Sequence, residues 1–396
     1  MLKALRKHPD ERAPVPDHSY YHNSYIPEVR STPGIPMVMR GSRILIGVAA
    51  VLLLVGLPGV ARTGSAAETN AYTVTALVSN NGVPGTTVDP HLVNAWGLVA
   101  GPTTPWWVNA ADADKSLLYN AAGGKLALEV TVAGGPTGLV FNGDSAVFPV
   151  GATNTAARFI FATESGTIAG WAGALGTTAQ VKVDNSETGA SYKGLAFATT
   201  SAGTFLYAAN FANARVDVFG RTWDPVNAVG GFVDPMLPAG YAPFGIQTIG
   251  SRVFVAFAKQ GEPEDGAVEE EAGQGLGIVD AFDTDGNFLV RVAQHGQLNA
   301  PWGLAMAPAN FGRFSGDLLV GNFGDGQINA YEEMPNGRFE YRGVLRTGDG
   351  KPLVIDGLWA LEFGLGAANN GPTNTLFFTA GPNEEEDGLF GTITVG

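Results

Sequence analysis

Few residues in this chain have the types and spacing that chemistry at a site requires. Cysteine is absent from the 396 residues, which excludes disulfides, thiolate nucleophiles and Cys-ligated metal centres. Of the five His, only His91 and His295 follow the apolar N-terminal segment, so a three-His metal site is excluded there as well. The sequence has no Gly-x-Ser-x-Gly motif and no Walker-type loop. Carboxylates and carboxamides therefore remain as the groups for binding or catalysis.

Carboxylates are concentrated in two short acidic segments, which contain Glu262, Glu264, Asp265, Glu269–Glu271 and Glu384–Asp387. Asp89, Asn94 and Asp356 stand separately, each just before an apolar segment. Hard cations such as Ca²⁺ prefer several oxygen ligands of this kind. We therefore predict a cation site at Asp89, Asn94 and Asp356, with Ca²⁺ as the candidate ion. The alternative is that these residues cap turns and that the Glu-rich segments are solvated loops.

A second group of polar and aromatic residues lies near the same apolar segments and is expected to form a ligand-binding face: His91, Asn299, Trp96, Trp302 and Trp359. The simplest role of the three Trp is packing between neighbouring structural units. A stacking platform for a sugar would require that their indole faces be exposed.

The elements that must position these residues recur along the chain. A short apolar motif around Gly-Leu appears six times, about 50 residues apart, at Ala95–Leu98, Pro136–Leu139, Tyr192–Leu195, Pro243–Ile246, Pro301–Leu304 and Leu358–Leu361. Each motif is followed by an apolar strand, an Asn/Asp/Gly-rich turn and a second strand, and most units add a fourth strand. Four strands in each of six units predict an all-β fold, the six-bladed β-propeller.

Ring closure can also be predicted. The last unit ends at Val395 without a fourth strand, whereas residues 72–78 alternate as a strand does and precede the first motif. We expect this N-terminal strand to complete the sixth blade and to close the ring.

These motifs, together with the ending Asp356–Gly364, resemble an uncharacterised family of secreted bacterial six-bladed propellers related in architecture to NHL-repeat proteins. The similarity covers about residues 70–396. It implies a fold and a compartment outside the cytoplasm, and it implies no established reaction.

The N-terminal part of the chain predicts export. Residues 1–43 are basic and Pro-containing and are interpreted as a disordered or mis-assigned extension. Residues 44–67 have the apolar run and the small Ser65–Ala67 end of a signal peptide, with an uncleaved anchor as the alternative. The propeller would then span 68–396 and be secreted or periplasmic, with no membrane association after cleavage.

Charge limits the class of partner. The formal net charge of −14 disfavours nucleic acids and anionic lipids and favours cations, a small ligand or a basic protein surface. We expect a binding protein rather than an enzyme. The alternative is a metal-dependent hydrolase or lactonase of the gluconolactonase or strictosidine-synthase type, which would place Glu, Asp or Asn from several inner strands in the channel.

Overall fold

The computed structural model describes residues 70–263 and 267–396, so the predictions for residues 1–67 lie outside the described residues. Two strands precede blade 1, namely β1 (Tyr72–Ser79) and β2 (Thr87–Val88). Blade 1 consists of β3 (Ala95–Val99), β4 (Trp106–Ala110), β5 (Lys115–Tyr119) and β6 (Lys125–Thr131), and blade 2 consists of β7 (Pro136–Phe141), β10 (Phe159–Thr163), β11 (Thr167–Trp171) and β12 (Gln180–Asp184), with a separate hairpin of β8 (Pro149–Val150) and β9 (Thr155–Ala156). Blade 3 consists of β13 (Tyr192–Thr200), β14 (Gly203–Asn210) and β15 (Arg215–Gly220).

The second half of the ring follows the same plan: blade 4, β16 (Tyr241–Ile249), β17 (Arg252–Gln260), β18 (Glu270–Glu271), β19 (Gly277–Asp283) and β20 (Phe288–Gln294); blade 5, β21 (Pro301–Met306), β22 (Leu318–Asn322), β23 (Ile328–Glu333) and β24 (Phe339–Val344); blade 6, β25 (Leu358–Phe363), β26 (Leu376–Ala380) and β27 (Leu389–Val395). The described helices are single 3₁₀ turns at Ala111–Ala113, Gly173–Leu175, Ser186–Thr188 and Gly312–Phe314. In the described ranges, no helix is long and apolar enough to cross a bilayer.

The six sheets form a closed ring, which confirms the predicted six-bladed propeller. The first strand of each blade contacts the first strand of the next, and β25 contacts β3. As predicted, β1 pairs antiparallel with β27, from Tyr72 opposite Val395 to Ser79 opposite Leu389. Blade 6 therefore contains strands from both ends of the described chain.

Blade 3 has three strands where the other blades have at least four. The segment after β15 contains Pro225, Pro235 and Pro238, which lack the backbone N–H that a continuous ladder needs. Two buried side chains of this segment pack between blades instead: Trp223 contacts Phe148 on the blade 2 side, and Phe232 contacts Tyr207 of blade 3 and Phe282 of blade 4.

The repeated glycines have a packing role at the centre of the ring. A Cβ at Gly97 would lie 2.2 Å from the carbonyl oxygen of Thr137 in the next inner strand, and one at Gly245 would lie 2.1 Å from that of Trp302. Only glycine permits inner strands to approach this closely. The motif therefore sets the spacing between blades.

A β-bulge accompanies the motif. In β13 the pairing with β14 passes from Tyr192 to Gly194, and in β21 the pairing with β22 passes from Pro301 to Gly303. The residue before the glycine is thus left out of the ladder, and a bulge of this kind re-aims its side chain. The six blades carry Trp96, Thr137, Lys193, Phe244, Trp302 and Trp359 at this position.

Candidate functional site: an acidic mouth over an aromatic cluster

Aromatic side chains fill the centre of the ring. The rings of Trp96 and Trp359 are stacked with centroids 3.7 Å apart, Trp302 meets Trp359 edge-on at 6.0 Å, and Phe323 stacks on Trp359 at 4.1 Å. Because these residues come from blades 1, 5 and 6 and also pack with Phe244 of blade 4, the cluster spans the ring. The three Trp residues therefore belong to one central cluster and do not only pack between two neighbouring blades.

The indoles differ in exposure and in hydrogen bonding. Trp96 and Trp359 are buried, while Trp302 is half-buried. Trp359 donates its Nε1–H to Asn94 Oδ1 at 2.9 Å, and Trp302 donates to the carbonyl oxygen of Lys193 at 3.0 Å. The buried Nε1 of Trp96 has no hydrogen-bond partner. The exposed indole faces that a sugar platform requires are thus not provided by Trp96 or Trp359.

An aliphatic layer also lines the channel. It consists of the side chains that follow the repeated small residue, namely Leu98, Leu139, Leu195, Ile246, Leu304 and Leu361. These side chains, together with Glu362 and Gln247, enclose a cavity of about 20 Å³, which is the size of one water molecule. Gln247 Nε2 donates a hydrogen bond of 2.7 Å to Glu362 Oε1, which lowers the pKa of Glu362. Burial outweighs this effect and raises the pKa to about 7.

Lys193 is the central charged residue. Its side chain is 2% exposed, and its Nζ lies 2.5 Å from Glu164 Oε1 and 2.6 Å from Glu269 Oε2. The same ammonium lies 5.1 Å from the centroid of the Trp96 ring, within the range of a cation–π contact. Burial alone would lower the pKa of Lys193, but the neighbouring carboxylates outweigh it and raise the pKa. Lys193 is therefore charged and fixed.

Two further carboxyls adjoin this ammonium. Burial raises the pKa of Glu270 to about 8, an effect that Lys193 opposes and that Glu385 and Glu269 strengthen. Burial likewise raises the pKa of Glu385 to about 7. Glu385 Oε2 accepts a hydrogen bond of 2.8 Å from Asn94 Nδ2, whereas the buried Oε2 of Glu270 has no partner.

We call this group the acidic mouth: Glu164, Lys193, Glu269, Glu270 and Glu385. Its members come from blades 2, 3, 4 and 6, so the acidic segments of blades 4 and 6 do meet at one end of the channel. Side chains of Glu164 and Glu269 are 34% and 52% exposed, which leaves the mouth open to solvent. Four carboxyls face one ammonium, so the mouth carries excess negative charge once Glu270 and Glu385 are ionised.

Asp89, Asn94 and Asp356, which were predicted to form one metal site, contact different partners. Asp89 is buried and accepts hydrogen bonds from Tyr119 Oη at 2.6 Å and from Lys125 Nζ. Asn94 bonds to Trp359 and Glu385, as described above. Exposed Asp356 accepts a bond of 3.0 Å from the backbone N of Asn383. Asn94 and Asp356 thus support the mouth, whereas Asp89 belongs to another cluster.

The remaining residues of the predicted ligand face are also separated. His91 Nδ1 lies 3.1 Å from both carboxylate oxygens of Glu129. Buried Asn299 accepts a bond of 2.7 Å from the backbone N of Gly273, and so fixes the end of the acidic insertion of blade 4.

Two residues of the mouth, Lys193 and Glu164, are not among the site residues predicted from the sequence. The signal for Lys193 was present, because five blades have an aromatic residue or Thr before the small residue of the motif and blade 3 alone has a charge there. Glu164 lies in the tight turn between β10 and β11, and nothing in the sequence marks it as a partner of a residue in the next blade.

A groove of about 510 Å³ lies at the opposite end of blades 3 and 4, between the hairpin turns of β13–β14, β16–β17 and β19–β20. It is lined by hydroxyl side chains such as Thr200 and Ser251, with Asp285 as its one ionisable lining residue. Because the groove lacks convergent charge, the mouth is the stronger candidate site.

The raised pKa values of Glu270 and Glu385 predict a pH dependence of stability. In the folded protein the pKa is about 8 for Glu270 and about 7 for Glu385, and both values lie above the ordinary 4.5. Between pH 4.5 and pH 8 the folded protein therefore binds more protons than the unfolded chain. Their contribution to stability is complete below pH 4.5 and is lost as the pH rises through 7 to 8. We expect the melting temperature to fall between pH 6 and pH 9. In the double variant Glu270→Gln and Glu385→Gln this fall should be smaller, and equal slopes in both proteins would contradict the assignment.

Fold and site together define a six-bladed β-propeller with an acidic mouth over an aromatic cluster. Among curated proteins, uncharacterized protein R648 of Acanthamoeba polyphaga mimivirus is 32% identical over 335 residues, covering 81% of this chain and 80% of the relative. Uncharacterized protein L690 of the same virus is 31% identical over 338 residues, covering 81% of this chain and 85% of that protein. The chain belongs to the same family as these viral proteins.

Other comparisons add the fold alone. No protein-family profile matches the chain. A structural genomics protein of unknown function from Bacteroides thetaiotaomicron is 11% identical, with a TM-score of 0.53, covering 82% of this chain and 76% of that one. The sequence resemblance suggested a bacterial family, and the curated relatives above are viral, so the bacterial assignment is not supported.

Proposed function

We propose that this protein binds a small ligand through a primary ammonium group held at the acidic mouth. The observation that carries the proposal is the excess of carboxyl groups around Lys193, one of which, Glu270, has a buried oxygen without a partner. A buried acceptor without a donor is costly, and an incoming N–H donor removes that cost. Lys193 itself supports the choice of ligand, because it is an ammonium already held between carboxylates and an indole face.

An organic ammonium fits the mouth better than the Ca²⁺ predicted from Asp89, Asn94 and Asp356. In residues 70–263 and 267–396, one group of three side chains brings metal-ligand atoms within 4.8 Å of one another. It consists of Asp89, His91 and Glu129, and it lies outside the mouth. Calcium needs six to eight oxygens in one shell. An ammonium needs two or three acceptors and gains from a neighbouring aromatic face.

The enzymatic alternative is less well supported. A lactonase-like site needs carboxylates from several inner strands, and the six inner strands carry only Glu362, which is paired with Gln247. The mouth carboxyls stand on loops and on the edge strand β18. We therefore favour binding, and we propose that it takes place outside the cytoplasm, on the basis of the signal peptide predicted from the sequence.

Ligand selectivity tests the proposal. Native-state binding raises the melting temperature with the logarithm of ligand concentration. At pH 8.5 and low ionic strength, we expect n-butylammonium to stabilise the protein at millimolar concentration more than CaCl₂ does. Stabilisation by calcium alone would favour the metal alternative, and stabilisation by a Lys-rich peptide but not by the small amine would favour a basic protein partner. If none of these probes has an effect, the mouth is a solvated acidic surface.

A further inference from the structure

A second cluster of ligand-type side chains lies away from the mouth, on blade 1. Asp89 from the segment before β3, His91 two residues later and Glu129 on β6 bring their donor atoms within 4.8 Å of one another. His91 Nδ1 lies 3.1 Å from both oxygens of Glu129. The cluster thus combines one imidazole nitrogen with two carboxylates.

A positive charge already occupies this cluster. The ammonium of Lys125 lies 2.6 Å from Glu129 Oε1 and 2.8 Å from Asp89 Oδ2, and so bridges the two carboxylates. Its side chain is 28% exposed, so the long flexible chain can move into solvent without opening the core. The two carboxylates therefore attract a cation, and the ammonium that they hold is on a partly exposed side chain.

Neighbouring groups hold the carboxylates in place. Asp89 is buried, and its oxygens accept bonds from Tyr119 Oη at 2.6 Å and from the backbone N of His91 at 3.1 Å. Lys115 Nζ holds the second oxygen of Glu129 at 2.9 Å. Such outer contacts orient metal ligands and restrict their motion.

We propose that Asp89, His91 and Glu129 form a binding site for a divalent transition metal ion of the Zn²⁺ type, which replaces the ammonium of Lys125. One imidazole and two carboxylates, with water in a fourth position, are a donor set that Zn²⁺ accepts. Calcium and magnesium favour sets made only of oxygen, so imidazole selects against them. The site uses no residue of the acidic mouth and is independent of the function proposed above.

Cobalt(II) is a suitable probe, because it takes the place of Zn²⁺ and its binding is visible by absorption. We expect the purified protein to bind one Co²⁺ at pH 7.5 and Zn²⁺ to displace it, while Ca²⁺ does not. His91→Ala should weaken Co²⁺ binding at least tenfold. The matched control is His295→Ala, which removes the other His of the propeller region, an exposed residue that contacts the carbonyl oxygen of Gly275, and should leave the affinity unchanged.

Lys125→Met tests the competition directly. Loss of the resident ammonium should strengthen Co²⁺ binding at least tenfold if this variant folds. If Lys125→Met does not fold, the original protein and His91→Ala can still be compared. The side chain of His91 is half-exposed, so its removal should not disturb the core. Equal Co²⁺ affinity in these two proteins, or no binding of Co²⁺ or Zn²⁺ by the original protein, would overturn the proposal.

Discussion

Removal of residues 70–79 is expected to unfold the propeller. These residues contain β1, which pairs with β27 in blade 6, and include Tyr72 and Val78, which are 2% and 0% exposed. Tyr72 also donates its hydroxyl to the carbonyl oxygen of Phe311 in blade 5 at 3.0 Å. Loss of a buried aromatic side chain costs about 3–5 kcal/mol and loss of a buried Val about 1.5–3 kcal/mol. Together these losses approach the total stability of about 5–15 kcal/mol of a typical domain.

The measurement is thermal unfolding followed by circular dichroism. Because the deletion can prevent folding altogether, Tyr72→Ala provides a graded variant, which should lose about 3–5 kcal/mol. Tyr341→Ala is its control, since Tyr341 lies on outer strand β24 and is 46% exposed. A deletion variant with the original unfolding midpoint would reject closure of the ring by β1.

Lys193→Met is the second change with a large expected effect. It keeps the volume of the side chain but leaves Glu164 and Glu269 without their counter-ion. Removing one partner of a buried pair costs about 3–5 kcal/mol. Both carboxylates are partly exposed, so water screens them and the lower end of this range is expected.

The loss should be largest at high pH, where Glu270 and Glu385 are ionised as well, and smaller at pH 5. Lys351→Met serves as the control, because the side chain of Lys351 is 79% exposed and its pair with Asp349 lies on the surface. If Lys193→Met were no more destabilising than Lys351→Met at pH 8.5, Lys193 would not organise the mouth.

The fold could be predicted from the sequence because a repeated physical constraint produced it. Gly97, Gly245 and Gly303 must each lack a side chain where adjacent inner strands meet, and this requirement recurs in every blade but the last, where Ala360 stands. The closing strand could be predicted for a similar reason, since the alternation of residues 72–78 matched the missing edge of blade 6.

The site was less predictable, because single contacts across blades decide it. Asp89, Asn94 and Asp356 all precede inner strands. Asp89 nevertheless bonds to Tyr119 and Lys125 of blade 1. Asn94 and Asp356 bond instead to Glu385 and to the backbone of Asn383, which lie in one loop of blade 6. Which turn residue reaches which neighbour depends on loop paths that have no period. Lys193 is the instructive exception, since comparison of the six motif positions identifies it.

Calorimetric titration with n-butylammonium at pH 6 and pH 8.5 shows whether ionised Glu270 and Glu385 bind an ammonium ligand at the acidic mouth. We expect tighter binding at pH 8.5, because the two carboxyls lose their protons between pH 7 and 8 while the amine stays charged. Glu270→Gln with Glu385→Gln should weaken binding at pH 8.5 at least tenfold. Glu271→Gln with Glu384→Gln, which removes two carboxylates from the exposed chain neighbours of Glu270 and Glu385, should not. Equal affinities in the two double variants would show that Glu270 and Glu385 do not bind the ammonium.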